Sequence, residues 1–274
     1  MNVFYDTHAH LDYPDFAQDI ADVVARAKGA GITKLISIGT NLDSSKRAIA
    51  LAERFDEVFA VVGWHPTDVL HAPDDIRPEL RTLARHPKAV AIGETGFDYY
   101  RLPSKDGKHT ADDDARYKKR QAEIFEQQLE VAAEAGLNCV IHQREALDDT
   151  VAAMQRWHGR VRGVFHCFAG DAGQMRQVIE LGSIVSFTGI LTFKNGQNIR
   201  DTLAATPADG FMLETDCPFL APVPYRGKRC EPAYVKDIAD VAAEVRECSL
   251  EELSVATCET AHVFFGRLGQ AVAA

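Results

Sequence analysis

Near the N-terminus, Tyr5-Asp6-Thr7-His8-Ala9-His10 sets two imidazoles two residues apart, after the apolar and aromatic stretch Val3-Phe4-Tyr5. Side chains two apart on an extended strand point to the same side, so His8 and His10 project together. Paired imidazoles are the beginning of a divalent metal site. One such pair is weak evidence, but four further apolar runs lead into a metal-ligating side chain. Residues 89–93 lead into Glu94, 138–141 into His142, 161–165 into His166, and 211–213 into Glu214-Thr215-Asp216. Polar groups at the ends of buried strands cost free energy unless they are partnered. A bound cation partners several of them at once, which packing does not.

Those side chains are positioned by the elements they end. Strand candidates are residues 3–6, 34–38, 58–62, 89–92, 138–141, 161–165, 183–187 and 211–213. Between them lie segments of helical period, among them 15–28, 44–55, 117–135, 145–157, 172–181 and 199–205. Alternating strand and helix implies a parallel sheet with right-handed crossovers. About eight such units in roughly 250 residues predict an α/β fold, the (β/α)8 TIM barrel, whose chemistry sits where strands end and loops begin. No Gly-x-Gly-x-x-Gly follows the first strand, which argues against a dinucleotide-binding sheet. With no repeat, low-complexity tract or Pro-rich linker, residues 1–274 are expected to form a single domain. The polar, aperiodic stretch 104–114 is expected to be a solvated loop, with a lid over the site as the lesser alternative.

Composition narrows the function further. Of 274 residues, 46% are hydrophobic and 26% charged, as in ordinary soluble proteins. A net charge of −10 argues against a broad, nonspecific nucleic-acid surface. It leaves room for a locally cationic site, because bound metal adds positive charge where it is needed. The six cysteines form no Cys-x-x-Cys pair, which together with the lack of a signal peptide points to reduced thiols in the cytoplasm. No apolar stretch is long enough to span a bilayer.

Six segments, taken in order, resemble the signatures of the TatD-type metal-dependent hydrolases. They are Asp6-Thr7-His8-Ala9-His10-Leu11-Asp12, Gly63-Trp64-His65-Pro66, Gly93-Glu94-Thr95-Gly96-Phe97-Asp98-Tyr99-Tyr100, Ile141-His142-Gln143-Arg144-Glu145-Ala146, His166-Cys167-Phe168-Ala169-Gly170 and Leu213-Glu214-Thr215-Asp216-Cys217-Pro218-Phe219-Leu220-Ala221-Pro222. The resemblance implies an amidohydrolase-type barrel, two divalent metal ions and a deoxyribonuclease activity. Its metal ligands fall on His8, His10, Glu94, His142, His166 and Asp216. Imidazoles suit Zn, Mn or Ni, while Mg is the abundant ion of nuclease chemistry. Two cations can activate water and stabilise the leaving oxygen of a phosphodiester. Glu94, with two oxygens, is expected to serve both. Asp216 is expected to accept the proton of the attacking water, which makes these two the catalytic carboxylates.

Substrate contacts are assigned to His65, Lys194 and Arg226, with a plain structural role equally open for His65. Arg144, Lys228 and Arg229 are left open. Glu214 is expected to orient a ligand or a loop, Asp98 to fix the loop after Glu94, and Cys167 and Cys217 to lie in the core. Cys230 and Thr260 stand where the family usually has asparagine. The expected partner is DNA, single-stranded or a 3′ end, with no membrane. Alternatives are hydrolysis of an ester or amide, such as the aminoacyl ester on tRNA, and, last, a non-catalytic metal-binding protein.

Overall fold

The computed structural model describes residues 2–269. Eight parallel strands pair in chain order: β1 (Phe4–Ala9), β2 (Ile32–Ile38), β3 (Val58–Val62), β4 (Ala89–Asp98), β5 (Asn138–Arg144), β6 (Gly163–Phe165), β7 (Ile184–Phe187) and β8 (Phe211–Leu213). The helices between them are α1 (Ile20–Gly29), α2 (Leu42–Arg54), α3 (Arg77–Ala84), α4 (Ala111–Ala135), α5 (Leu147–Gln155), α6 (Ala172–Glu180) and α7 (Gln197–Ala205). Two more, α8 (Val235–Arg246) and α9 (Leu250–Phe265), follow the last strand. The sheet curls until a parallel bridge joins Ala9 to Cys217. There the Asp216 N–H donates to the His8 carbonyl (2.9 Å) and the His10 N–H to the Cys217 carbonyl (2.8 Å). This is the expected (β/α)8 TIM barrel.

Alternation along most strands divides their side chains between two apolar layers. Leu35, Ala60, Val62, Cys139, Ile141, Phe165 and Leu213 face the helices. Ile36, Val61, Val90, Val140, Val164, Ile184 and Met212 fill the barrel, where Ala261, Phe264 and Phe265 of α9 pack against them. The inner stripe continues upward two residues at a time, Val140 to His142, Val164 to His166 and Met212 to Glu214, while Asp216, beyond β8, reaches the same mouth with a left-handed backbone (φ 58°). One rule of spacing thus supplies an apolar floor and a polar mouth.

Strand ends lie further along than the apolar runs suggest. The β4–β5 ladder continues to the pairing of Asp98 with Arg144, so Glu94 and His142 lie within strands rather than beyond them. His8 likewise lies within β1. Backbone pairing does not require apolar side chains, which is why hydropathy stops short of it. α4 begins at Ala111, not at residue 117, because Thr110 and Asp113 form a reciprocal capping box and acidic residues fill the first turn. The last four residues of stretch 104–114 are therefore helical, and Asp114 ties the stretch down by accepting from the Ser104 N–H (2.8 Å) and hydroxyl (2.6 Å).

Closure depends on a buried carboxyl. Asp6 on β1 accepts the Thr215 N–H at Oδ1 (2.9 Å) and the Thr215 hydroxyl at Oδ2 (2.6 Å). Burial, with Glu214 adding to it, pushes this carboxyl up to about 8 against the pull of those hydrogen bonds, so it is largely neutral at pH 7. Asparagine reproduces a neutral carboxyl in shape and bonding. Asp6→Asn is expected to keep unfolding stability within about 1 kcal/mol, while Asp6→Ala, which strands a buried N–H, costs about 1–3 kcal/mol. Urea unfolding of both variants checks this, and equal losses would refute it.

Candidate metal centre

His8 and His10 project from the end of β1, Glu94 from β4, His142 from β5, and His166 and Asp216 from just beyond β6 and β8. The structure brings all six together. Glu94 is buried at their centre and offers one oxygen to each of two groups. Its Oε2 lies 3.4 Å from His8 Nε2 and 3.8 Å from His10 Nε2, and both imidazoles also face Asp216 Oδ1, at 3.7 and 3.3 Å. Its Oε1 lies 2.8 Å from both His142 Nδ1 and His166 Nε2. The strand carrying Glu94 is admitted by small residues. A Cβ at Gly63 would sit 2.4 Å from the Gly93 carbonyl oxygen, so β3 and β4 approach here more closely than side chains allow.

Carboxylates behind the cluster set which imidazole nitrogen faces it. Asp98 Oδ2 lies 3.2 Å from His142 Nε2, which fixes the proton there and leaves the Nδ1 lone pair facing Glu94. Glu214 Oε1 stands 3.5 Å from His166 Nδ1 and accepts the Cys167 N–H (2.7 Å), while Oε2 accepts from the Ser186 hydroxyl (2.6 Å). Glu214 therefore holds the loop that follows His166 and sets a negative charge behind that ring. Asp98 reaches further than expected, to His142 rather than only to its own loop, where its Oδ1 accepts the Arg101 N–H (2.9 Å).

His65 enters the cluster too, with Nε2 3.2 Å from Glu94 Oε1. Its parity with Val61 on the inner face was the available signal. The Thr67 N–H donates to His65 Nδ1 (3.1 Å), so in the neutral ring the proton sits on Nε2. His65 thus presents a donor to the cluster, whereas His142 presents a lone pair.

The donor set fits cations. His8 Nε2 and Glu94 Oε2 are buried without a hydrogen bond, and residue groups able to hold a cation occur on both sides of Glu94. Burial, with His166 close by, lowers the His8 imidazole, and burial likewise lowers that of His65. His142 and His166 go upward: burial opposes it, but Asp98 and Glu94 prevail at His142, and Glu94 and Glu214 at His166. Burial alone would raise Glu94, yet the surrounding imidazoles hold it well below the ordinary carboxylate range. Asp216 is lowered in the same way, with His10 and His8 overcoming burial. At 2.8 Å a proton on the ring or a bound cation must lie between each of these nitrogens and the Glu94 oxygen.

A sequence profile for TatD related DNases matches residues 5–266. The chain belongs to the TatD family. It is 35% identical to YabD, a metal-dependent hydrolase of Bacillus subtilis (strain 168) described as uncharacterised, over 96% of this chain and 99% of that one. It is 34% identical to the 3′-5′ ssDNA/RNA exonuclease TatD of Enterobacter lignolyticus (strain SCF1), over 96% and 98% of the two chains. The crystal structure of YjjV, a TatD homologue of Escherichia coli K12, superposes with a TM-score of 0.86 at 27% identity, covering 96% and 98%. This TatD-family chain is accordingly a metal-dependent hydrolase.

Lys194 and Arg226 are not in the histidine cluster. Both are exposed on neighbouring loops, which are tied by a hydrogen bond from the Val223 N–H to the Thr192 hydroxyl (2.9 Å). Arg226 lays its guanidinium over the Phe193 ring at 3.6 Å, and among the described residues neither cation pairs with a carboxylate. Arg229 is instead committed to Asp19 (2.7 Å), and Arg144 to the Tyr100 ring (3.6 Å). Cys217 is in the core as expected. Cys167 is not: a positive φ of 46° breaks the strand alternation, and its half-buried thiol lies 3.8 Å from the Thr188 hydroxyl. Cys230 is buried, and the Thr260 hydroxyl donates to the Ala256 carbonyl (2.8 Å) within its own helix.

Replacing His8 and His10 together by alanine is expected to strip most bound metal while the far-ultraviolet circular dichroism of the barrel persists. Full metal stoichiometry in the double variant would refute their place in the centre. Asp98→Ala is expected to lower metal affinity about 10–100-fold by freeing the His142 ring. Calorimetric titration measures it, and an unchanged affinity would make Asp98 a loop residue only.

Proposed function

We propose that this chain is a deoxyribonuclease that hydrolyses DNA phosphodiester bonds, on single strands and from the 3′ end, in the cytoplasm. The observation that carries this reading is the division of Glu94 between two sets of ligating groups, the arrangement that suits a pair of divalent cations (Mg, Mn, Zn or Ni). His8, His10, Asp216 and Glu94 Oε2 would hold one, and Glu94 Oε1, His142 and His166 the other. Such cations supply Lewis-acid polarisation of the phosphate and make water a stronger acid. The exonuclease name of the Enterobacter relative supports a nucleic-acid substrate. The six unpaired cysteines support a reducing compartment.

The side chains then divide the work. Asp216 is the more open of the two central carboxylates, 15% exposed against 2% for Glu94, and accepts the proton of the attacking water at its carboxylate. Glu94, held ionised by its imidazoles, keeps the two ligand sets in register. His65 donates from Nε2 to a phosphate oxygen. Lys194 and Arg226 meet the anionic backbone at the rim.

A substrate panel tests the reading: labelled single-stranded DNA, an aminoacyl-tRNA ester and a simple amide, each with Mg, Mn, Zn and Ni. Shortening of the DNA from its 3′ end is expected. Hydrolysis of the ester or amide with the DNA left intact would overturn it. In single-turnover cleavage at saturating metal, Asp216→Asn is expected to be slower by about two to four orders of magnitude. A rate within a few-fold of the unsubstituted enzyme would remove Asp216 from proton transfer.

A further inference from the structure

Loops around the metal centre carry apolar surface that holding cations does not require. Among the described residues, six large apolar side chains are exposed, and four of them, Leu70, Tyr100, Phe219 and Val223, lie on segments that follow strands at the mouth. The other two, Val255 and Val263, lie on α9. Phe219 is the one joined to the centre itself. Its N–H donates to the Asp216 carbonyl (3.0 Å), and its ring stands 6.2 Å from that of His10, at an interplanar angle of 68°. Tyr13 completes the corner, stacked on His10 at 4.7 Å and meeting Phe219 at 81° and 6.2 Å.

An aromatic ring flanked by two others at steep angles, and still 51% exposed, has lost conformational freedom while keeping open surface. Such a ring is ready to receive a flat partner. We infer that Phe219, braced by Tyr13, is the stacking platform for the nucleobase of the terminal nucleotide whose phosphodiester lies at the metal centre. The inference rests on the nuclease reading and adds to it which part of the substrate is gripped. Every base has a π-face, so the platform accepts all four and confers no sequence preference. Bases inside a duplex are already stacked on both sides, whereas an unpaired terminal base has a free face to offer. The platform therefore favours single-stranded ends. Arg226 and Lys194, near on the rim, are placed for the phosphates that follow.

The test separates the base from the backbone. A fluorescent single-stranded oligonucleotide of twelve nucleotides is compared with one whose two terminal nucleotides are abasic. Binding is followed by anisotropy on the metal-loaded Asp216→Asn enzyme, where the strand persists. The intact strand is expected to bind about ten- to a hundredfold more tightly than the abasic-ended one. Adding Phe219→Ala is expected to abolish the difference, and Phe219→Trp to preserve it. Equal binding of the two strands by the parent protein, or a difference that survives Phe219→Ala, would overturn the platform. Cleavage of the same strands by the unsubstituted enzyme distinguishes the two levels of failure. If both are cut equally well, the platform alone falls. If neither is bound nor cut with any of the four cations, the nuclease reading falls and takes the platform with it.

Discussion

A carboxylate buried among imidazoles organises the mouth of this barrel. Glu94 has one oxygen within 2.8 Å of two ring nitrogens and the other facing two more histidines and, beyond them, Asp216. Taking an anion out of water is costly, and the fold bears that cost by surrounding it with groups that carry a proton or hold a cation. From this follow the depressed carboxyl of Glu94, the raised imidazoles of His142 and His166, and the need for Asp98 and Glu214 behind them. Remove the central anion and the histidines lose the reason for their convergence.

The scaffold delivers these groups without any special device in most strands. The alternation that places Val140, Val164 and Met212 in the barrel interior places His142, His166 and Glu214 above them. Special geometry is confined to a few places. Small residues let β3 and β4 close on each other below Glu94, and the Asp6–Thr215 pair joins the first strand to the last.

Much of this was legible in the residues themselves. Apolar runs located all eight strands, and the ligating side chains at their ends located the mouth. What hydropathy missed has identifiable causes. Strand β4 runs past a register shift between Ile92 and Thr95 and on to Asp98 because backbone pairing resumes beneath polar side chains. The acidic triplet Asp112-Asp113-Asp114 reads as loop, although Thr110 and Asp113 are a helix cap. Helices α3, α8 and α9 were not singled out, α3 being short and opened by a proline. His65, read as a substrate contact or a structural histidine, lies within reach of Glu94 itself, a distance that its place after the third strand does not reveal. Cys167 escaped alternation through a left-handed backbone angle that nothing in its immediate spacing announces.

The packed interior has a consequence for traffic. Side chains from Ile36 through Met212, with Phe264 and Phe265 of α9 against them, leave the barrel a blind end rather than a tunnel. A long polymer cannot thread through it, and whatever is released must depart by the opening through which the chain arrived. Product and incoming substrate therefore share one path, so arrival and departure form a queue at one doorway. If the substrate is the strand proposed above, a barrel of this shape would hand it back between cuts more readily than a ring or a channel does, because no wall would enclose it.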